Sequence, residues 1–436
     1  MAPSPSDTSP KTPKQAPKPN RKSNSGPASG SHRKPQNQQQ QQQKPSSPNE
    51  EDTNKIDISS TIPLTLQQLL LNVFKAALLH SDTPSQAQAQ EDPQASTAEE
   101  SQLDIKTLIQ TLKSHLYNRD FESAFADASG ELLRAYALRW SAARALGYAG
   151  LFKSILEVLT QEQRPSGSSG EGHPGKNHVV CIGGGAGAEI VALVAAWRDL
   201  MDAQNDDMSD ALAAVSLGTA KGEEEEKPQI PNFHPILSVT AVDIGDWSTV
   251  VDRLTSTITS HKVPSSKSHP APLLRAHSNF TVDFNRLDVL SLSDSELDTL
   301  YNTSKSRVTT PTTLVSLMFT LNELFSTSMV KATAFLLKTT DLLQAGTILL
   351  VVDSPGSYST LKLGKGDSSG ARQERQYPMK FLLDHTLLSV AKGKWEKIFS
   401  QDSRWWRRDA ARLWYDVGEG AGLEDMRFQI HVYRRL

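Results

Sequence analysis

Apolar positions along this chain change their rhythm twice. Leu66, Leu69, Leu70, Val73, Phe74 and Ala77 recur at helical spacing and predict a helix over Leu64–Leu79. The same period predicts helices over Leu103–Leu116 and Phe121–Leu159, with a polar Gln/Ala/Ser stretch over 81–102 as a loop between them. The last of these carries Tyr136, Arg139, Trp140 and Arg144, whose aromatics are expected mostly as core packing. Residues 62–163 are therefore expected to form an all-helical N-terminal domain. Residues 164–176 hold four glycines, three serines and two prolines and predict a linker.

Beyond the linker the rhythm shortens. Apolar, β-rich runs occur at His178–Ile182, Leu237–Val242, around Phe280–Asp283, at Leu314–Phe319, Thr347–Val352 and Arg427–Tyr433. Helical stretches separate them, at Glu189–Met201, Trp247–Ser260, Ser326–Leu343 and Met379–Val390. That alternation predicts βαβ units. The fold class expected for residues 177–436 is α/β, a mostly parallel doubly wound sheet of the Rossmann-like kind. Polar inserts interrupt it near 203–234, 261–275 and 364–376.

Composition modifies this picture at the N-terminus. Hydrophobic residues make up 37% of the 436, which is low for a chain folded throughout. The deficit concentrates in residues 1–61, rich in Pro, Ser, Gln and Lys, which are expected as a disordered basic tail. Within residues 1–50 eight Lys/Arg face two acids, so that stretch could touch RNA or act as a nuclear address. A single cysteine excludes an intramolecular disulfide and a cysteine-based zinc site. The formal net charge of −3 excludes a uniformly basic nucleic-acid coat. Apolar runs such as Ile190–Trp197 are too short to span a bilayer, and no apolar segment of a secretory signal follows the N-terminus. An intracellular soluble protein without a membrane partner is expected.

The candidate chemistry begins where the strand His178–Ile182 runs into Gly183-Gly-Gly-Ala-Gly187-Ala-Glu189 and then a helix. Glycines let the backbone take positive φ or approach a ligand closely, and the amides of a helix start hold polar or anionic groups. Gly183-x-Gly185-x-x-Ala188 fits a dinucleotide fingerprint, whereas Gly183-x-Gly185-x-Gly187 fits the nucleoside loop of Rossmann-like methyltransferases. The next strand ends in Asp243, at the edge where an acid can accept from two ribose hydroxyls. It lies 56 residues after Gly187, and the 203–234 insert accounts for the excess spacing. Asp288, with Asp283 as its competitor, falls where a third strand's loop approaches an adenine amino group. Two further strands end in Asn322 and Glu323, and in Asp353 followed by Ser-Pro-Gly-Ser-Tyr358.

Several blocks together resemble a known family. They are Gly183–Gly187, Thr320-Leu-Asn-Glu-Leu324, Val351-Val-Asp-Ser-Pro-Gly-Ser-Tyr358, Tyr377-Pro-Met-Lys-Phe-Leu-Leu-Asp-His385, Met426-Arg-Phe-Gln and the helix Arg139-Trp-Ser-Ala-Ala-Arg-Ala-Leu146. This set is similar to fungal methyltransferases that form N3-methyluridine in large-subunit (25S) rRNA, from about residue 62 to the end. The resemblance implies S-adenosyl-L-methionine as cofactor and rRNA or a pre-ribosome as partner. It also implies a nuclear, nucleolar or cytoplasmic location. The cofactor carries its own activated methyl group, so no metal is required.

Uridine N3 must lose a proton before it attacks, and Asp353 and Glu323 are the candidate bases. Asn322 could orient the uracil carbonyls and Tyr358 could stack on a base. Twelve Lys/Arg against six acids over 361–412, with Trp395, Trp405, Trp406 and Trp414 in or beside that stretch, suit an RNA surface. Phosphate contacts are expected from some of Lys392, Lys394, Arg404, Arg407 and Arg408. Three other readings remain open at this stage: methylation of a protein or small molecule, an NAD-dependent oxidoreductase, and a catalytically silent RNA-binding assembly factor.

Overall fold

The computed structural model describes residues 55–79, 103–162, 176–218, 236–275, 279–302, 311–356, 358–363 and 373–436. The tail through residue 54, the loop 81–102, the linker 164–175 and the insert stretches 219–234 and 364–372 lie outside the described residues.

Among the described residues, seven strands make one sheet in the order β3-β2-β1-β4-β5-β9-β8. They are β1 (Lys176–Ile182), β2 (Ile236–Asp243), β3 (Phe280–Arg286), β4 (Thr312–Met318), β5 (Ile348–Asp353), β8 (Trp395–Trp406) and β9 (Met426–Arg435). The first five pair in parallel, and β9 runs antiparallel between β5 and β8. Two further strands, β6 (Tyr358–Leu363) and β7 (Gln373–Pro378), form an antiparallel hairpin off the end of β5.

The central strands are buried on both faces, as a sheet covered by helices on two sides requires. Alternate residues serve the two faces: Val179 and Cys181 of β1 join one core, Val180 and Ile182 the other. Helices α1 (Leu64–Leu78), α2 (Ile105–Tyr117), α4 (Ala142–Glu162), α5 (Ala188–Gly218) and α6 (Ser248–Ile258) contribute to the first core. Helices α7 (Asp294–Tyr301), α8 (Leu321–Thr327), α9 (Met329–Leu342) and α10 (Met379–Asp384) contribute to the second. The short α3 (Gly130–Tyr136) leads through a π-helical turn at Ala137–Ser141 into α4.

Several elements depart from the sequence expectation. The helical N-terminal part shares one hydrophobic core with the sheet, so it is not separately packed. Among the described residues packing is already present at Lys55, seven residues before Ile62: its amide donates to Ile398 O at 2.8 Å, and Ile56 and Ile58 are buried. The helix expected over 326–343 is two helices, α8 and α9. Ser328, with φ −159°, breaks it, and the Ser328 hydroxyl accepts from the Lys331 amide. α10 ends at Asp384 and passes into a π turn over His385–Val390. The 203–234 insert begins as a continuation of α5 to Gly218. Among the described residues no helix is long and apolar enough to cross a membrane, and no cluster of three His, Cys, Asp or Glu could hold a metal ion.

Candidate active site

The strand order reverses between β1 and β4, and the crevice at the carboxyl ends of these strands is where an open α/β sheet takes a ligand. A cavity of about 830 Å³ opens there. Its floor includes Gly183 after β1, Asp243 at the end of β2, Asp288 after β3 and Phe319, Thr320 and Glu323 after β4. Its roof comes from the helical segment: Phe121, Phe125, Tyr136, Ser141, Arg144 and Tyr148. Arg286 ties roof to floor, donating to Ala126 O at 2.8 Å and to Ile244 O at 3.1 Å.

The glycine loop owes its residue type mainly to the protein's own packing. Gly183 and Gly187 have φ of +77° and +81°. A Cβ at Gly183 would collide with Thr320, one at Gly185 with Trp247 and with Asp243, and one at Gly187 with Leu254. Within the protein itself, then, a Cβ at any of the three would strike a side chain. Of the three, only Gly183 lines the cavity. Gly185 instead fixes Asp243, its amide donating to Oδ2 at 3.2 Å, while the Gly245 amide donates to Oδ1 at 3.2 Å. Burial raises the Asp243 pKa, and these amides oppose the rise.

Two more carboxylates face this space. Glu323 sits in the first turn of α8. Burial first, then the Asp353 and Asp243 carboxylates, push its pKa up to about 8, while Arg144 pulls it down. Glu189, second residue of α5, is buried and likewise pushed up to about 8, chiefly by burial. Arg144 of α4 acts electrostatically on both, donates to Tyr136 Oη at 2.6 Å and rests 4.9 Å from the Phe319 ring centroid. Burial works against its charge, yet Tyr136, Tyr148 and Glu323 hold its pKa above the ordinary value. Phe319 itself has φ +59°, a conformation that strains a bulky residue and that collects at functional sites. Ser141 Oγ is buried in the cavity wall and has no hydrogen-bond partner among the described residues.

The sequence-derived candidates therefore divide. Gly183, Asp243, Asp288 and Glu323 line one cavity. Asp353 does not: it is buried, and its carboxylate accepts from the amides of Asn322 at 2.9 Å and Ser354 at 2.7 Å. Asn322 lies beside the cavity rather than in its wall, with Oδ1 buried and unpartnered. Tyr358 starts β6, half-exposed and outside the cavity. Asp283 sits in mid-strand opposite Thr240, away from the crevice, whereas Asp288 lies beyond the strand end. Asp288 accepts from the Leu290 amide at 2.9 Å and from Ser291 Oγ at 2.6 Å.

The basic C-terminal stretch is less free than its charge suggests. Lys380, Lys394, Lys397, Arg407 and Arg412 pair with Asp402, Asp341, Asp384, Asp425 and Asp409. Trp395 is buried in the core, while Trp405 and Trp414 are exposed. Sequence reasoning gave Arg144, Ser141, Tyr136, Glu189 and Phe319 no role in the site. The available signals were Glu189, directly following the glycine loop, and the Arg139–Leu146 block, which contains Ser141 and Arg144.

A ligand for this cavity needs groups to match an acid at the end of β2, a buried guanidinium and a partnerless hydroxyl. S-adenosylmethionine supplies ribose hydroxyls, a carboxylate and an amino group, so the residues present fit it. Residues 90–434 match the family described as "Putative SAM-dependent methyltransferase". The chain is 30% identical over 382 residues, 86% of its own length and 86% of the other, to a Saccharomyces cerevisiae protein named 25S rRNA (uridine(2843)-N(3))-methyltransferase. Among solved structures it is similar to a SAM-dependent methyltransferase from Methanosarcina mazei, at 10% identity and TM-score 0.30, over 60% of this chain and 93% of that one. A S-adenosylmethionine-dependent methyltransferase from Clostridium acetobutylicum is 7% identical with TM-score 0.29, over 75% of this chain and 98% of that one. With the family match spanning most of the chain and the yeast relative covered over nearly its whole length, the chain belongs to this family of SAM-dependent methyltransferases.

Proposed function

We propose that this protein methylates N3 of a uridine in large-subunit rRNA. One observation carries the reading within the fold. Glu323, a carboxyl whose pKa lies near 8, lines the same cavity as the acid and the guanidinium that suit the cofactor. A base of that pKa matches the task of taking a proton from a weakly acidic imide, because it is strong enough to accept and still partly ionised at neutral pH. The substrate class follows the yeast relative.

The cofactor supplies a methyl group activated by a positively charged sulfur. The chain's residues do the rest. Asp243 would accept from the ribose hydroxyls, and Asp288 from the adenine amino group. Arg144 would bind the methionine carboxylate, with Tyr136 fixing the guanidinium. Gly183, at φ +77°, turns the backbone between β1 and the start of α5, where the cofactor would lie. Glu323 would accept the N3 proton of uridine, leaving that nitrogen's electron pair to take the methyl group in exchange for the carbon–sulfur bond, with S-adenosylhomocysteine as the leaving group. The roof of aromatic side chains excludes water and holds the two reactants in register, which itself supplies much of the acceleration.

The test is transfer of an isotope-labelled methyl group to a large-subunit rRNA transcript, followed by mass spectrometry of the nucleosides. Labelled N3-methyluridine is the expected product. Label in another nucleoside would remove the substrate assignment and keep the activity. Cofactor binding with no label in any RNA would point to a protein or small-molecule acceptor.

A further inference from the structure

Helix α2 ends in a turn whose key position ordinarily goes to glycine. The Arg119 amide donates to Leu116 O at 3.2 Å and the Asp120 amide to His115 O at 2.9 Å, the paired bonds that close a helix around a left-handed residue. That residue is Arg119, with φ +56°. A Cβ makes this conformation costly, whereas glycine takes it freely. The carbonyl end of a helix attracts cations, but any position in the last turn provides that without a left-handed backbone. The arginine therefore stands where it weakens the fold, and such strain collects at functional sites.

Its place gives the charge a use. Arg119 is exposed and lines the cavity, and Asp120, Phe121 and Glu122 continue the wall from it. The other arginines of that wall are engaged: Arg144 donates to Tyr136 Oη, and Arg286 donates to the carbonyls of Ala126 and Ile244. Asp120, next to Arg119 in the chain, is held by His115 at 3.1 Å and by the Ser123 amide at 3.1 Å. Among the described residues no carboxylate pairs with the Arg119 guanidinium. N3 of uridine lies on its pairing edge, so a uridine methylated there must leave its pair. Once its base turns into the cavity, its sugar and phosphate stay at the mouth. An exposed guanidinium at that mouth meets a phosphodiester, while the cofactor's carboxylate has Arg144.

We propose that Arg119 binds a backbone phosphate of the RNA strand whose uridine occupies the cavity. This rests on the rRNA reading above. The contact fixes the strand at the rim and sets how far the base reaches toward Glu323.

The experiment compares wild type, Arg119→Gly and Arg119→Lys by fluorescence anisotropy with labelled single-stranded oligouridylate over a range of salt. Arg119→Gly is expected to bind roughly tenfold more weakly at low salt. Its slope of log affinity against log salt should flatten by about 0.7, the share of one phosphate on a single strand. Arg119→Lys keeps the charge and should keep the wild-type slope. Arg119→Gly relieves the left-handed backbone, so its melting temperature should be no lower than that of wild type, and its calorimetric affinity for S-adenosylmethionine should match. A wild-type salt slope in Arg119→Gly, with rRNA methylated by the wild type, overturns the phosphate contact and leaves the methyltransferase assignment standing. Lost cofactor affinity in Arg119→Gly would place the guanidinium on the cofactor, and a lower melting temperature would make it part of the helix end's structure; either result overturns the proposal. Absence of any transfer to rRNA by the wild type overturns the reading beneath it.

Discussion

The carboxylate of Asp353, at the end of β5, accepts a 2.9 Å hydrogen bond from the backbone amide of Asn322 in the first turn of α8. That bond joins two strand ends that read alike in the sequence and gives them different work. Asp353 occupies an amide that helix geometry leaves without an internal partner, and so orients the helix. Glu323, the next residue along, is thereby aimed at the cavity.

The two acids should therefore respond differently to substitution. Asp353→Ala removes a charged acceptor from buried amides and should cost about 1.5–3 kcal/mol of stability, read as a lower melting temperature. Glu323→Gln should fold normally and still bind the cofactor while methyl transfer at neutral pH falls about a hundredfold to ten-thousandfold. Raising the pH should narrow the Glu323→Gln deficit, because uridine begins to ionise unaided. Full activity in Glu323→Gln would remove it as the base.

Gly185→Ala and Gly187→Ala should each lower melting temperature together with cofactor affinity. At Gly185 the new Cβ meets Trp247 and Asp243, so the carboxylate that takes the ribose is displaced. At Gly187 the methyl meets Leu254, and φ of +81° adds roughly 1–2 kcal/mol of backbone strain. Loss of cofactor affinity with unchanged melting temperature would mean that the methyl groups act on the ligand directly.

Arg144→Met should weaken S-adenosylmethionine binding about tenfold to a hundredfold, since a hydrogen-bonded charge pair with the carboxylate is lost. Adenosine, which lacks that carboxylate, should bind the variant as it binds wild type. Calorimetry with both ligands checks the assignment, and an equal loss for both would place the effect in the aromatic roof instead.

The sequence made the sheet's parallel half and its ligand edge readable for a local reason. Apolar runs such as Val179–Ile182 are continuous because both faces are covered, and Asp243 follows such a run directly. Strand β8 escaped because Glu396, Lys397, Asp402 and Arg404 interrupt its apolar positions. Register shifts at Lys397/Phe399 and Gln401/Arg404 also break the alternation. Arg144 escaped because its helix looks like core: its neighbours Ala143 and Ala145 are buried, and only the meeting of α4 with the ends of β1 and β4 turns it into a cavity residue. Asp353 and Glu323 were indistinguishable because side-chain direction, not position along the chain, separates them.

Shortening the N-terminus should be tolerated up to Lys55 and not beyond. Ile56 and Ile58 are buried, and a Cβ on Gly150 of α4 would strike Ser60 O, so this segment lies directly against the helix. Removing residues 1–54, a stretch rich in Pro, Ser, Gln and Lys, should leave the melting temperature unchanged. Removing residues 1–61 should lower it by at least several degrees, and Ile58→Ala alone should cost about 2–5 kcal/mol. Equal melting temperatures for the two truncations would show that the segment contributes no stability.

Protonation of Glu323 and Glu189 should couple stability and cofactor binding to pH. Both carboxyls lie near 8 in the folded protein, against an ordinary value of 4.5. The folded state therefore holds more protons than the unfolded state between those limits, and stability falls as pH rises through that window. Each group contributes up to about 1.4 kcal/mol per pH unit within it. The charges facing Glu323 are Asp353, Asp243 and Arg144, and those facing Glu189 are Arg144 and Asp243. Glu323→Gln and Glu189→Gln should each flatten the fall in melting temperature from pH 5 to pH 8. Binding should act in the opposite direction. The positive sulfur of S-adenosylmethionine favours ionised carboxylates beside it and so lowers their pKa values. Near neutral pH its binding should release protons. Calorimetry should then give a more exothermic signal in Tris than in phosphate, because Tris takes up protons with much greater heat release. S-adenosylhomocysteine, whose sulfur is neutral, should release fewer protons, and Glu323→Gln should remove that residue's share. Identical heats for S-adenosylmethionine in both buffers would show that neither carboxyl responds to the bound charge.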